Sequence, residues 1–159
     1  MESKNTLSIP MAIIIAGALI GGAVLYSNTD KSPSAAKYSI NVPDVSSKDH
    51  IRGDINASIK FVEYSDTECP FCKNFQVTMN EVISGENKID DVAWVYRHNP
   101  IPSLHEKATR EAIATECVAK IAGEEKFWVY LDSIYATTTS NDGLPDEVLF
   151  TLANTVGVS

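Results

Sequence analysis

The chain has 159 residues, 44% of them hydrophobic and 21% charged, with a formal net charge of −8 and a pI near 4.8. That length suits one domain of ordinary size, and the composition excludes general disorder. An acidic chain with no basic run and no interleaved aromatic–basic stripe is not built for nucleic acid, whose phosphates need clustered Lys and Arg.

Residues 1–8 form a short N-terminal flank, and residues 9–26 read as a transmembrane anchor. No side chain from Met11 to Leu25 is polar, and Ile9, Pro10 and Tyr26 extend the run to 18 residues. A spanning helix needs roughly 17–25. A cleaved signal peptide is the competing reading, although no small-x-small cleavage site directly follows Leu25. Gly17 and Gly21 stand at GxxxG spacing, which in so Gly-rich a run says little about helix pairing. Lys4 precedes the run while Lys31 and Lys37 follow it, so charge does not set its orientation. Residues 27–48, rich in Ser, Asn, Asp, Pro and Lys, read as a flexible linker.

The folded part begins near Asp49. Residues 58–65 are rich in β-branched and aromatic side chains and predict a strand. Residues 69–84 predict a helix whose apolar positions Phe71, Phe75, Met79, Val82 and Ile83 share one face, with Gly85 as its stop. Residues 92–97 predict a second strand, and strand–helix–strand order predicts a βαβ unit. Three helices are expected after Pro102. One runs from Leu104 to Ile121 and closes at Gly123, one is marked by Phe127, Leu131, Ile134 and Tyr135, and one by Leu149, Leu152, Ala153 and Val156 with Pro145 early in it.

Three cysteines are too few for a disulfide-dense scaffold, and a close pair plus a singleton fits redox chemistry or a metal site. Cys69-Pro70-Phe71-Cys72 falls where a strand gives way to a helix. Disulfide exchange needs a thiolate, and a helix N-terminus, with free N–H groups and roughly half a positive charge, favours an anion at Cys69. Cys72, one turn on, is placed to close the disulfide, and Pro70 suits the first helical turn because it lacks the N–H that would go unpaired. Asp66 and Glu68 oppose a thiolate and Lys73 favours it. All three are expected at the surface, where screening keeps each effect small. The same Cys-x-x-Cys is also half of a zinc site, with His50, His98, His105 and Cys117 as further ligand candidates, none paired at short spacing.

The stretches Asp49-His-Ile-Arg-Gly53, Phe61-Val-Glu-Tyr-Ser-Asp66 and Cys69-Pro-Phe-Cys72 resemble the DsbA-like thioredoxin-fold proteins of bacteria. Tyr96-Arg-His98 with Pro100, His105-x-x-Ala108, Thr115-Glu-Cys117 and Lys126-Phe-Trp128 continue the resemblance in collinear order. It implies an α/β fold: a thioredoxin-like βαβ core with a helical insertion, preceded by one transmembrane helix. Residues 49–159 would then be a partial domain, the family's C-terminal strands, cis-proline loop and last helix having no counterpart before Ser159. The resemblance further implies a membrane-held thiol–disulfide oxidoreductase whose domain faces the extracytoplasmic side. It would act on protein thiol and disulfide substrates, with a membrane redox partner that reoxidises or reduces it and no cofactor. Cys69 and Cys72 are then the catalytic pair, Pro70 and Phe71 the dipeptide between them, and Glu63 the buried acid that accepts the Cys72 proton. Many relatives carry His where Phe71 stands.

Blander readings accompany these. Glu63 could be a half-exposed strand residue, Cys117 a small buried hydrophobe, His98 and His105 packed or capped histidines, and Trp94 and Trp128 core. The alternatives to an enzyme are a membrane-tethered metal-binding module and a non-catalytic thioredoxin-fold remnant.

Overall fold

The computed structural model describes residues 9–28, 41–86 and 88–159. The flank 1–8 and residues 29–40 of the expected linker lie outside them. The chain divides into two units, Met1–Pro43 and Asp44–Ser159.

The first unit contains helix α1, Ile9–Asn28. Its 20 residues rise about 30 Å at 1.5 Å each, the thickness of a bilayer's hydrocarbon core. None of the apolar stretch Ile9–Tyr26 is buried within the protein, which separates it from the core helix of a globular domain.

The second unit begins with three strands, β1 (His50–Gly53), β2 (Ile59–Ser65) and β3 (Val92–His98), with helix α2 (Pro70–Ser84) between β2 and β3. The order in the sheet is β1–β3–β2. β2 and β3 run parallel, joined by α2, with Glu63 beside Tyr96 and Ser65 beside His98. β1 pairs antiparallel with β3, so the sheet is three-stranded and the strand reading missed one member. β1 has four residues, too short to show a period. Gly53 closes it at φ +106°, and a Cβ there would stand 2.8 Å from the Val92 carbonyl oxygen. β3 is central, and its first five residues, Val92–Tyr96, are all buried.

Helices α3 (Ala108–Ala122), α4 (Glu124–Thr137) and α5 (Asp146–Thr155) follow. α3 starts four residues later than the sequence pattern predicts. The amides of Leu104 and His105 both bond to the Ile101 carbonyl, so a turn occupies that stretch. Gly123, at φ +89°, ends α3 and opens α4. Pro145 caps α5 rather than lying inside it.

Two apolar clusters hold the unit together. Met79, Trp94, Tyr96, Phe127, Trp128, Leu131 and Tyr135 join α2, β3 and α4, with Cys72 and Ile83 packed against them. Val118, Tyr130, Ile134, Leu144, Leu149, Val156 and Val158 join α3, α4 and α5. Each such side chain contributes roughly 1.5–3 kcal/mol when fully buried. Trp94 and Trp128 are core, as expected. The inner face of α2 is the predicted one in its second half, where Met79 is buried and Ile83 packs against the first cluster, but not in its first turns. Phe71 is 81% exposed and Phe75 also faces solvent, whereas Gln76 and Met79 are buried.

Candidate active site

β2 delivers the chain to the N-terminus of α2. Cys69 is the N-cap residue, in extended conformation with φ −80° and ψ 122°, and Pro70 is the first helical residue. The Cys69 amide donates to the Asp66 carbonyl at 3.1 Å, and the Lys73 amide to the Cys69 carbonyl at 3.0 Å. Both cysteines are half-buried free thiols. One turn into the helix, the Cys72 thiol lies close to Cys69, whose charge opposes its ionisation. Burial pushes the Cys72 thiol above its ordinary range, and the Asp66 backbone and the Ser65 hydroxyl partly offset that. The two expected reactive cysteines are thus brought together, one at the helix end and the other against the core.

Glu63 lies on β2, half-buried, and accepts a hydrogen bond from Trp94 Nε1 at 2.8 Å. Burial raises its carboxyl, while Ser65 and Trp94 pull it back down. Ser65 Oγ is 2.8 Å from Tyr135 Oη, which is 3.1 Å from Tyr96 Oη. Burial holds both phenols protonated well beyond the ordinary tyrosine range. These hydroxyl groups escaped the sequence reading. The available signals were that Ser65 stands two residues from Glu63, on the same face of a strand, and that the second strand carries a tyrosine.

The acids flanking Cys69 are not at the surface. Asp66 is 3% exposed and Glu68 is 0% exposed. Asp66 accepts from the Glu68 and Ile101 amides, each at 2.8 Å, and its Oδ2 lies 3.1 Å from His105 Nδ1. Glu68 accepts from Thr138 Oγ1 at 3.0 Å and the Gly143 amide at 3.1 Å, while its carbonyl accepts from the Asn141 amide at 2.8 Å. Lys73 donates to the Thr138 carbonyl, so its ammonium is engaged with the same turn. The residue before Cys69 is therefore clasped by the α4–α5 connection, in which Ser140, Asn141 and Asp142 all have positive φ. From α3, Glu111 accepts from Thr67 Oγ1, and burial together with the neighbouring Glu68 pushes its carboxyl up to about 8.

The remaining candidates lie elsewhere. His98 bonds Thr115 Oγ1 at 2.7 Å, and burial pulls it down to about 4. Cys117 is exposed, not buried as its Ala-rich helix suggests, because it falls on the outer side of α3. Among the described residues no group of three or more His, Cys, Asp or Glu side chains is arranged to hold a metal ion.

A family model described as Thioredoxin matches residues 45–154. The chain belongs to the thioredoxin family. This thioredoxin-family chain is 33% identical over 113 residues to "Na(+)/H(+) antiporter NhaA 1" of Mycolicibacterium vanbaalenii, a match covering 70% of the chain and 18% of that protein. It is 25% identical over 137 residues to "Probable disulfide bond formation protein D" of Bacillus cereus, covering 85% of the chain and 60% of that protein. Among solved structures it superposes on Pseudomonas aeruginosa DsbA2 with a TM-score of 0.53 at 29% identity, covering 71% of the chain and 65% of that structure. Its core of three strands and α2, followed by α3–α5, is the DsbA-like form of the thioredoxin fold. The chain spans less than a fifth of the antiporter and under two thirds of the Bacillus protein.

Proposed function

We propose that this chain is a thiol–disulfide oxidoreductase that exchanges disulfides with protein substrates through Cys69 and Cys72. It is held by α1 in a membrane with the catalytic domain outside the cytoplasm. The anchor is residues 9–26, the tether 27–48 and the domain 49–159. The observation that carries the reading is the placement of the pair, with Cys69 at the N-cap of α2 and Cys72 in its first turn, half-buried against the core. Cys69 attacks a disulfide as the thiolate, or is attacked in the reverse direction, and a mixed disulfide forms. Cys72 then displaces the substrate sulfur. Glu63 is the acid that takes the Cys72 proton. Phe71, exposed beside the pair, offers an apolar contact to an incoming chain.

Trapping tests the assignment. Cys72→Ser in the full chain should accumulate mixed disulfides with substrates, visible on non-reducing gels, and Cys69→Ser should not. Equal trapping by both variants would overturn the roles.

A further inference from the structure

Close to both the half-buried Glu63 carboxyl and the Cys72 thiol lies the hydroxyl group of Ser65. Ser65 is 1% exposed and is the last residue of β2. Being two residues from Glu63, it projects from the same face of the strand. Its hydroxyl lies close enough to both the Glu63 carboxyl and the Cys72 thiol to favour the charged form of each. A third neighbour, Tyr135 Oη at 2.8 Å, completes its surroundings, and Tyr96 Oη follows at 3.1 Å.

We propose that Ser65 relays the Cys72 proton to Glu63, and that the Tyr96–Tyr135 hydroxyl pair orients it for that task. The proposal rests on the exchange reading above and adds a residue to it. A hydroxyl has one proton and two lone pairs. In the relay arrangement Tyr96 donates to Tyr135, and Tyr135 donates to Ser65 Oγ at 2.8 Å in preference to the Asp66 carbonyl at 3.4 Å, which occupies one lone pair of the serine and leaves its proton for Glu63. The other lone pair faces Cys72. When Cys72 resolves the mixed disulfide, its S–H proton passes to Ser65 Oγ as the Ser65 proton passes to a Glu63 carboxylate oxygen. The Cys72 sulfur forms the new bond to the Cys69 sulfur. The Cys69–substrate S–S bond breaks, and the substrate sulfur leaves with the electron pair. Glu63 later loses the proton to solvent. The groups that titrate around the serine are Glu63 from β2, Cys69 and Cys72 at the start of α2, Tyr96 from β3 and Tyr135 from α4. The phenols are too firmly protonated to accept a proton, which leaves Glu63 as the acceptor.

The test follows one turnover of the reduced full chain, in a Cys117→Ser background, with oxidised glutathione. Acid quench and mass spectrometry report formation and decay of the Cys69–glutathione adduct between pH 5 and 9. In Ser65→Ala, adduct formation should stay within about twofold of the parent, whereas decay should slow at least tenfold near pH 6 and recover as pH rises and water takes the proton. Ser65→Thr, which keeps the hydroxyl, should restore decay to within about threefold. Adding Glu63→Gln to Ser65→Ala should slow decay no further, since both act on one path. Should Ser65→Ala fail to fold, Tyr135→Phe must show the same pH-dependent slowing of decay. Parent-like decay in Ser65→Ala or, in that case, in Tyr135→Phe overturns the relay. So does slowing that is equal at every pH and not restored by Thr. A parent chain that forms no adduct removes the exchange reading together with the relay. A normal parent beside an unaffected Ser65→Ala removes the relay alone.

Discussion

Glu111 is 1% exposed beside a second buried carboxyl, Glu68, and two such groups cannot both ionise without a large desolvation and repulsion penalty. Its carboxyl, pushed up to about 8 in the folded chain, titrates near 4.5 when unfolded. Between those values the native state holds a proton that the unfolded chain has lost, so this group's effect on stability worsens as pH rises through the window. Glu111→Gln keeps the protonated shape and cannot ionise. It should be close to neutral near pH 4.5 and stabilising at pH 8, by at least ~1 kcal/mol or roughly 4–8 °C in Tm. Thermal unfolding of both proteins from pH 4.5 to 8.5 checks it, and a difference that does not grow with pH would refute the shared-proton pair. Phe71 offers a second test at this scale. It is exposed, so replacing it should change stability by no more than about 0.5 kcal/mol. Phe cannot hydrogen-bond the Cys69 thiolate and His can. A hydrogen bond to a charged group contributes about 1.5–3 kcal/mol, which would stabilise the reduced form. Phe71→His should therefore shift the reduction potential by roughly 30–60 mV toward a stronger oxidant. Equilibration with glutathione buffers measures it, and an unchanged potential would show that this position does not touch the thiolate.

Asp132 of α4 ties α4 to β1 and to α2. Its Oδ2 accepts from Arg52 Nη2 of β1 at 2.7 Å, and its Oδ1 accepts from Gln76 at 2.7 Å and Asn80 at 3.0 Å, both on α2. The Arg52 guanidinium also lies 4.3 Å from the Trp128 ring centre. Asp132→Ala removes the acceptor for three donors on two other elements and should cost about 2 kcal/mol. A urea titration should give a lower midpoint with an unchanged slope, and an unchanged midpoint would mean that solvent replaces these bonds at no cost. The same contacts explain what the sequence could show of α2. Pro70 and Gly85 mark its ends because capping is local. In its first turns the sequence points to the wrong inner face, because Phe71 and Phe75 outweigh Gln76 on any apolar scale, whereas Met79 and Ile83 do face the core. Gln76 is buried with its amide nitrogen donating to Asp132, 56 positions away. Asp66 and Glu68 were expected at the surface for a related reason. Their partners Ile101, His105, Thr138 and Gly143 arrive from distant turns, and acids with several donors around them tolerate burial. The Cys69–Cys72 pair was legible because spacing and helix polarity suffice to define it. The Ser65–Tyr135–Tyr96 chain was not, because it needs β2, α4 and β3 in place.

Across the whole molecule, an apolar helix and a redox domain make different demands on their surroundings, and together they limit where the chain can work. The apolar run of 18 residues has no buried portion and is long enough to cross the hydrocarbon core of a bilayer. Exchange with secreted proteins, as proposed, needs a compartment in which their disulfides persist, and that is outside the reducing cytoplasm. The charges flanking the helix do not choose a side, since Lys4 precedes it and Lys31 and Lys37 follow. Under the proposed function, compartment chemistry sets the orientation, with Cys69 outside. The full chain should stay with the membrane fraction after carbonate washing and keep its first residues, whereas a mature form starting after Tyr26 would identify a cleaved signal. In intact cells carrying the Cys117→Ser chain, a membrane-impermeant maleimide should label the reduced cysteine pair without lysis. Replacing Cys69 and Cys72 together by Ser should abolish that labelling. Labelling that appears only after the cells are opened would put the domain in the cytoplasm. There the pair would be kept reduced, and exchange with secreted proteins would be lost as the chain's role.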